Sequence, residues 1–153
     1  MDEIDRKICE LVQADAKRST AQLAEAVGLP LSTTADRLKR LQATGAVSGW
    51  HAALDPKALG VPLCAFVLVD MEFEGEAQAA QAIAARPEVL ELHHISGAHS
   101  YLMKLRLADM ASMQRFLAEA VKPLPAVTRT ETIFALDTLK ETAALPVAET
   151  ADD

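Results

Sequence analysis

Aromatic residues, cysteines and long apolar runs are scarce in this chain of 153 residues. The lack of long apolar runs and the small number of cysteines each argue against a class of protein. Aromatic residues make up only 4% of the chain. No apolar run reaches the ~18 residues that a membrane span needs. Charged residues follow Met1 directly, so we expect no signal peptide and a cytoplasmic location. Cys9 and Cys64 both lie in apolar patterns, which favours two free thiols over a disulfide or a metal pair.

The net charge of −7 argues against a nucleic-acid partner only while the chain is taken as a whole. Residues 1–50 hold seven acids and seven bases, whereas residues 51–153 hold fifteen acids and eight bases. The bases of the first part cluster near residues 17–18 and 37–40. A neutral module with a local basic face can bind DNA, and an acidic remainder limits non-specific binding.

The stretch from Ser19 to Gly45 has the pattern of a helix-turn-helix. Ser19 and Gln22 fit a capping box at the start of one helix. Gly28 stands where that helix would end in a left-handed residue, and Gly45 ends the next helix. Asp2 to Ala14 follows the helical period before them. We therefore predict a three-helix unit.

The helix after Gly28, here called the reading helix, has an apolar stripe and a polar outer face. We expect it to bury Leu31, Ala35, Leu38 and either Leu41 or Gln42. Its outer face is expected to show Thr33, Asp36, Arg37 and Arg40, with Ser32 and Lys39 at the edges. Hydroxyls near the N-terminus and cations further along suit a helix in the major groove. The alternative is a solvated amphipathic helix in an ordinary bundle.

Two prolines and a glycine in residues 55–62 indicate a domain boundary. We divide the chain into a winged helix-turn-helix over residues 1–50, a strand and linker over 51–62, an αβ domain over 63–142 and a tail over 143–153. Residues 47–54 are expected to form a strand or wing, in which Trp50 has a packing role.

The second part alternates as strand, helix, strand, strand, helix, strand, which is typical of a ferredoxin-like fold. The strands are expected at 63–73, 89–96, 101–107 and 128–136, and the helices at 76–85 and from Asp109 onward. The fold class is therefore α+β: an N-terminal winged helix-turn-helix followed by a ferredoxin-like βαββαβ sandwich. The first strand is apolar on both faces at one end, so we expect a second subunit to cover one face.

Several motifs in order resemble the Lrp/AsnC family of transcriptional regulators over nearly the whole chain. They are IDRKICELVQADAKRS, LAEAVGL, DRLKRLQATGAVSGW, LDPKALG, HHISGAHSYLMKLR and VTRTETIFALDTLK. The resemblance implies a regulator that binds double-stranded DNA, forms homodimers and assembles further, for instance into octamers. It also implies a small-molecule effector, an amino acid or a related metabolite.

The resemblance assigns site residues with one clear departure. The DNA-binding candidates are Ser32, Thr33, Arg37, Arg40 and Lys39, with Lys17, Arg18 and Ser19 as weaker phosphate contacts. The effector candidates are Gly97, Ala98, His99, Ser100, Tyr101, Thr130 and Thr132. The family hairpin commonly reads Gly-Asp-x-Asp-Tyr, whereas residues 97–101 here lack both acids. Pro30 stands where the family often has a serine.

Two other functions remain open alternatives at this point. Sirohaem decarboxylases resemble this chain in their two-domain fold and use histidines and basic residues. This chain has His93, His94 and Arg106 near the central hairpin. A metabolite-binding assembly protein without DNA function is the other alternative. Adjacent His93 and His94 on a strand point to opposite faces, so we expect no metal site there. We expect no cofactor, and we find no catalytic motif that indicates an enzyme.

Overall fold

The computed structural model describes residues 1–148 and divides the chain into two compact units. One unit is Met1–Ala53 together with 140–148, and the other is Leu54–Leu139. The C-terminal segment belongs to the first unit because Leu145 exchanges two backbone hydrogen bonds with the side-chain amide of Gln13, at 2.7 and 2.8 Å. Residues 149–153, the end of the expected tail, lie outside the described residues. No helix within 1–148 is long and apolar enough to cross a membrane.

Three helices form the first unit: α1 (Glu3–Ala14), α2 (Thr20–Val27) and α3 (Leu31–Ala43), the reading helix. The capping box of α2 is confirmed, since the Gln22 amide donates to Ser19 Oγ at 3.2 Å and the Ser19 amide donates to Gln22 Oε1 at 2.8 Å. Gly28 ends α2 at φ 68° and ψ 32°, a left-handed conformation that favours glycine. The helices enclose a core of Ile8, Val12, Leu23 and Leu41.

The buried stripe of α3 differs from the expected one. Leu31 is 56% exposed and Ala35 is also exposed, so the prediction that both are buried is wrong. Thr34 is instead fully buried. Its hydroxyl donates to the Pro30 carbonyl at 3.1 Å, which satisfies the polar atom inside the core. Leu38 and Leu41 lie on the inner face with Thr34.

The expected wing strand is absent from the described first unit. Residues 47–54 form no strand, although the Val47 amide donates to the Leu41 carbonyl at 3.0 Å. A strand needs a neighbouring strand for its backbone groups, and the elements of this unit within 1–148 are all helices. Trp50 in this segment is 43% exposed.

The second unit has the predicted element order. Its elements are β1 (Leu63–Met71), α4 (Glu76–Ala84), β2 (Val89–His94), β3 (Tyr101–Leu107), α5 (Met110–Phe116, continued by a π-helical turn Leu117–Val121) and β4 (Val127–Phe134). The strands form an antiparallel sheet in the order β2-β3-β1-β4. The ferredoxin-like prediction is therefore confirmed.

Three strands end earlier than their sequence patterns predicted. β1 stops at Met71, where its register with β4 shifts, and Phe73 beyond it is 94% exposed. β2 ends at His94 rather than at residue 96. β4 ends at Phe134, and Leu136 is fully exposed. In each case apolar residues continue beyond the last paired residue, so hydrophobic pattern alone overestimates strand length.

The two faces of the sheet have different surroundings. Ala65, Val67, Val69, Met103 and Leu105 are fully buried against residues of α4 and α5. The opposite face, here called the open face, carries a second apolar set between charged residues. That set consists of Phe66, Leu68, Leu102 and Ile133. Ile133 is 49% exposed, so the open face is the part of this unit that a partner would cover.

Candidate DNA-reading face and effector loop

A buried carboxylate holds the reading helix against α1. Asp5 is 3% exposed and accepts from Arg37 Nη1 at 2.8 Å and from Arg40 Nη2 at 2.7 Å. Asp2 accepts a second bond from Arg37 Nη1 at 2.6 Å and also caps α1 through the Asp5 amide. Hydrogen bonding from Arg37 lowers the pKa of Asp2, and the same contact with Asp2 raises the pKa of Arg37. A carboxylate without these cations would be costly to bury, so the cluster fixes which face of α3 points inward.

This cluster corrects the predicted positions of Arg37 and Arg40. Both were expected on the outer face as DNA contacts, but both guanidinium groups lie against α1. Arg37 is the more enclosed, with 23% of its side chain exposed, whereas Arg40 keeps 57% exposed. Arg37 therefore positions the reading helix. Arg40 also contacts Asp5, but more than half of its side chain stays exposed to solvent.

The outer face of α3 consists mainly of other residues, with the exposed part of Arg40 at its edge. Ser32, Thr33 and Lys39 are exposed, as predicted, and Asp36 lies among them. Leu31 and Ala35 complete this face. Both were expected on the inner face because their side chains are apolar. An inner face centred on Thr34, Leu38 and Leu41 leaves Leu31 and Ala35 toward the outside. Pro30 is the N-cap of the helix and makes no side-chain hydrogen bond to its first turn.

The weaker candidates lie together before α2. Ser19 uses its hydroxyl in the capping box, and the Lys17 amide donates to Asp15 Oδ1 at 2.9 Å. Arg18 is half-buried, with no hydrogen-bond partner for its Nε within residues 1–148. Lys17 is the exposed cation of the three, whereas Arg18 is half-buried and the Ser19 hydroxyl is used in the cap, so Lys17 is the strongest phosphate candidate.

The predicted effector loop joins β2 and β3, and backbone bonds hold it in place. Gly97 has φ 119°, which a side chain would strain, and Ala98 beside it is exposed. Ser100 donates its amide to the Val69 carbonyl at 3.1 Å, and its hydroxyl accepts from the Met71 amide at 3.2 Å. The loop is therefore tied to the end of β1.

A residue that sequence reasoning missed also contacts this loop. His99 Nδ1 lies 2.9 Å from Asp70 Oδ1, and both side chains are mostly enclosed, with 20% and 25% exposed. Asp70 precedes His99 by 29 residues, so only the pairing of β1 with β3 brings them together. The Asp70 carboxylate is therefore paired with the His99 imidazole beside the loop.

Tyr101 begins β3 in a small polar cluster on the helix side of the sheet. Its ring stacks on His94 with centroids 4.9 Å apart, and His94 Nε2 lies 3.9 Å from Glu76 Oε1. Thr130 pairs with Val69, which pairs with Tyr101, so these three share one row of the sheet. Thr132 lies in the next row, opposite Val67. The structure therefore places Thr130 nearer than Thr132 to the predicted effector loop.

The residues of the tetrapyrrole alternative do not converge. His93 pairs with Leu102 on the open face and contacts Glu91, whereas His94 faces Tyr101 on the helix side. Arg106 lies four residues beyond Leu102 along β3, roughly 13 Å away. Among residues 1–148, no group of three or more His, Cys, Asp or Glu could hold a metal ion.

Burial, followed by the nearby Glu76 carboxylate, raises the pKa of the Tyr101 phenol above its ordinary value of about 10. Glu76→Gln removes the negative charge but keeps the burial. We expect the pKa of Tyr101 to fall in this variant while staying above the ordinary value. Alkaline titration of phenolate absorbance measures it directly, because the chain has only one tyrosine. Glu72→Gln is the matched control, and equal titration curves for Glu76→Gln and the unaltered chain would contradict the cluster.

Sequence comparisons match both units. The AsnC-type helix-turn-helix domain matches residues 1–42, and the Lrp/AsnC ligand binding domain matches residues 64–145. The chain is 35% identical over 150 residues to the DNA-binding transcriptional activator DecR of Escherichia coli, covering 96% of this chain and 99% of that one. It is 37% identical over 145 residues to the proline dehydrogenase transcriptional activator of Rhizobium radiobacter, covering 93% of each chain.

A solved structure gives the same result. A transcriptional regulator of Neisseria meningitidis, determined as a complex with L-methionine, superposes with a TM-score of 0.89 at 28% identity. The match covers 95% of this chain and 96% of that chain. With domain matches over both units and relatives above 30% identity along almost the full length, the chain belongs to the Lrp/AsnC family.

Proposed function

We propose that this chain is a sequence-specific DNA-binding transcriptional regulator of the Lrp/AsnC type, with assembly and DNA affinity modulated by a small-molecule effector. The observation that carries the proposal is the Asp5 cluster, which pins α3 so that a continuous face points outward. The two domain matches and the names of the relatives support the same activity.

DNA contacts divide into base-edge and phosphate contacts. Ser32 and Thr33 lie on the first turn of α3, which enters deepest into the major groove in this motif. Lys39 and the exposed edge of Arg40 lie further along and suit phosphates, as does Lys17. Arg37 acts through the position of α3, so its removal would disturb the fold and the binding together.

The effector proposal concerns the loop of residues 97–101. An amino acid or a related metabolite is the class we propose, and the Neisseria relative in complex with L-methionine supports it. In this chain Asp70 already pairs with His99, so an ammonium group has to displace or share that contact. Tyr101, Thr130 and Thr132 are the further candidates from the sheet.

Assembly is proposed through the open face. Its apolar set lies between exposed charges, the arrangement of a subunit contact with a polar rim. We propose a homodimer through this face in a cytoplasmic protein, with higher assemblies such as an octamer built from dimers.

Lys39→Ala tests the DNA face. We expect weaker binding to every DNA sequence and a salt dependence shallower by about one unit of slope, because one phosphate contact is lost. The measurement is a salt series with the gene's own upstream region and an unrelated fragment. Lys57→Ala, which removes an equal exposed charge from the other unit, is the control. Identical affinity and slope for Lys39→Ala and Lys57→Ala would contradict the assignment.

Leu68→Asp tests the subunit contact. We expect the dimer dissociation constant to rise by at least about tenfold, since a charge replaces an apolar side chain at the centre of the open face. Sedimentation equilibrium measures it, with circular dichroism to check folding. Phe73→Asp is the control, because Phe73 is 94% exposed and lies beyond β1. A dimer constant unchanged by Leu68→Asp would rule out this face.

A further inference from the structure

Two apolar side chains are exposed at the start of the reading helix, outside the core of the first unit. Leu31 is 56% exposed on the first turn of α3, and Ala35 is exposed one turn later. The core of the first unit closes over Ile8, Val12, Leu23 and Leu41 without them. Exposed leucines are common on protein surfaces, and what distinguishes Leu31 is its place on the first turn of α3, the part of this motif that meets base edges.

The positions of these residues relate them to the DNA face. Residues four apart on a helix lie one above the other, so Leu31, Ala35 and Lys39 form a single ridge. The ridge is apolar at the helix N-terminus and cationic near the other end. The neighbouring ridge carries Ser32, Asp36 and Arg40.

The side chains at the N-terminal end of α3 suit the base edges of the major groove better than the phosphate backbone. Asp36 would repel phosphates, yet a carboxylate accepts well from the exocyclic amine of cytosine. The apolar group on the base edges of the major groove is the C5-methyl of thymine. Leucine and alanine cannot hydrogen-bond a base, so the thymine methyl is the feature that they can distinguish.

We propose that Leu31 and Ala35 contact thymine methyl groups and so make the operator of this regulator thymine-specific at the steps beneath the N-terminal turns of α3. The inference rests on the proposed DNA-binding function and adds residues that determine its specificity. Ser32 and Asp36 contact the adjacent base edges, and Lys39 contacts the phosphate at the end of the ridge.

The experiment begins with the full-length protein and a pool of random-sequence duplexes, from which the bound sequences are enriched. Each thymine of the enriched site is then replaced in turn by deoxyuridine, which removes the methyl group and keeps every hydrogen-bonding group. We expect about a fourfold loss of affinity at one or two thymines in each half-site, the value of one buried methyl group. Deoxyuridine elsewhere in the site should change nothing.

Leu31→Ala then links the methyl group to the side chain. Leu31 is exposed and alanine favours helix, so this variant should fold as the unaltered chain does. We expect it to bind the thymine site more weakly and to show a smaller difference between thymine and deoxyuridine at the sensitive position, because alanine keeps only part of the apolar contact. Leu54→Ala, which removes another exposed leucine from the second unit, should keep the full difference between the two duplexes.

The outcomes separate this inference from the function on which it rests. If no sequence is enriched, specific DNA binding fails and the inference fails with it. If a site is enriched but tolerates deoxyuridine everywhere, the function stands and the thymine contact is wrong. If Leu31→Ala keeps the difference between thymine and deoxyuridine, or changes only the oligomer size, Leu31 does not read the base.

Discussion

The contact on which the reading face depends is the pair of arginine bonds to the buried carboxylate of Asp5. Asp5 stands on α1, and Arg37 and Arg40 stand on α3, so the bonds fix both the separation and the rotation of the two helices. A hydrogen bond to a charged group is stronger than one between neutral groups, and a buried carboxylate left without its cations is costly. The partial exposure of Arg40 reduces the value of its bond, so Arg37 is the main partner.

The rotation of α3 decides which side chains can meet DNA. With the Arg37 side chain held against α1, the outer face consists of Leu31, Ser32, Thr33, Ala35, Asp36 and Lys39, and the exposed part of Arg40 lies at its edge. That face is less basic than the sequence suggested, because the Arg37 guanidinium pairs with Asp2 and Asp5.

Local patterns were enough to predict the helices, their caps and the order of the sheet. The capping box of Ser19 and Gln22 and the left-handed Gly28 are local features, and both are present. The rotation of α3 was missed because it depends on two contacts that helical period does not contain. One is the bond of Thr34 to Pro30, which makes a polar residue suitable for the core, and the other is the ion pair of Asp5 and Arg37, 32 residues apart. The His99–Asp70 contact was missed for the same reason, since it exists only once β1 and β3 pair.

Asp5→Asn is the variant that tests the central claim most directly, because it keeps the shape of the side chain and removes the charge that orients α3. The measurement is the ratio of affinities for the enriched site and for an unrelated duplex at one salt concentration, with Glu10→Gln on the exposed side of α1 as control. We expect the ratio to fall about tenfold for Asp5→Asn, while helix content and the weak affinity for unrelated DNA stay near those of the control. An unchanged ratio for Asp5→Asn would contradict it, since the reading helix would then be oriented by something other than this carboxylate.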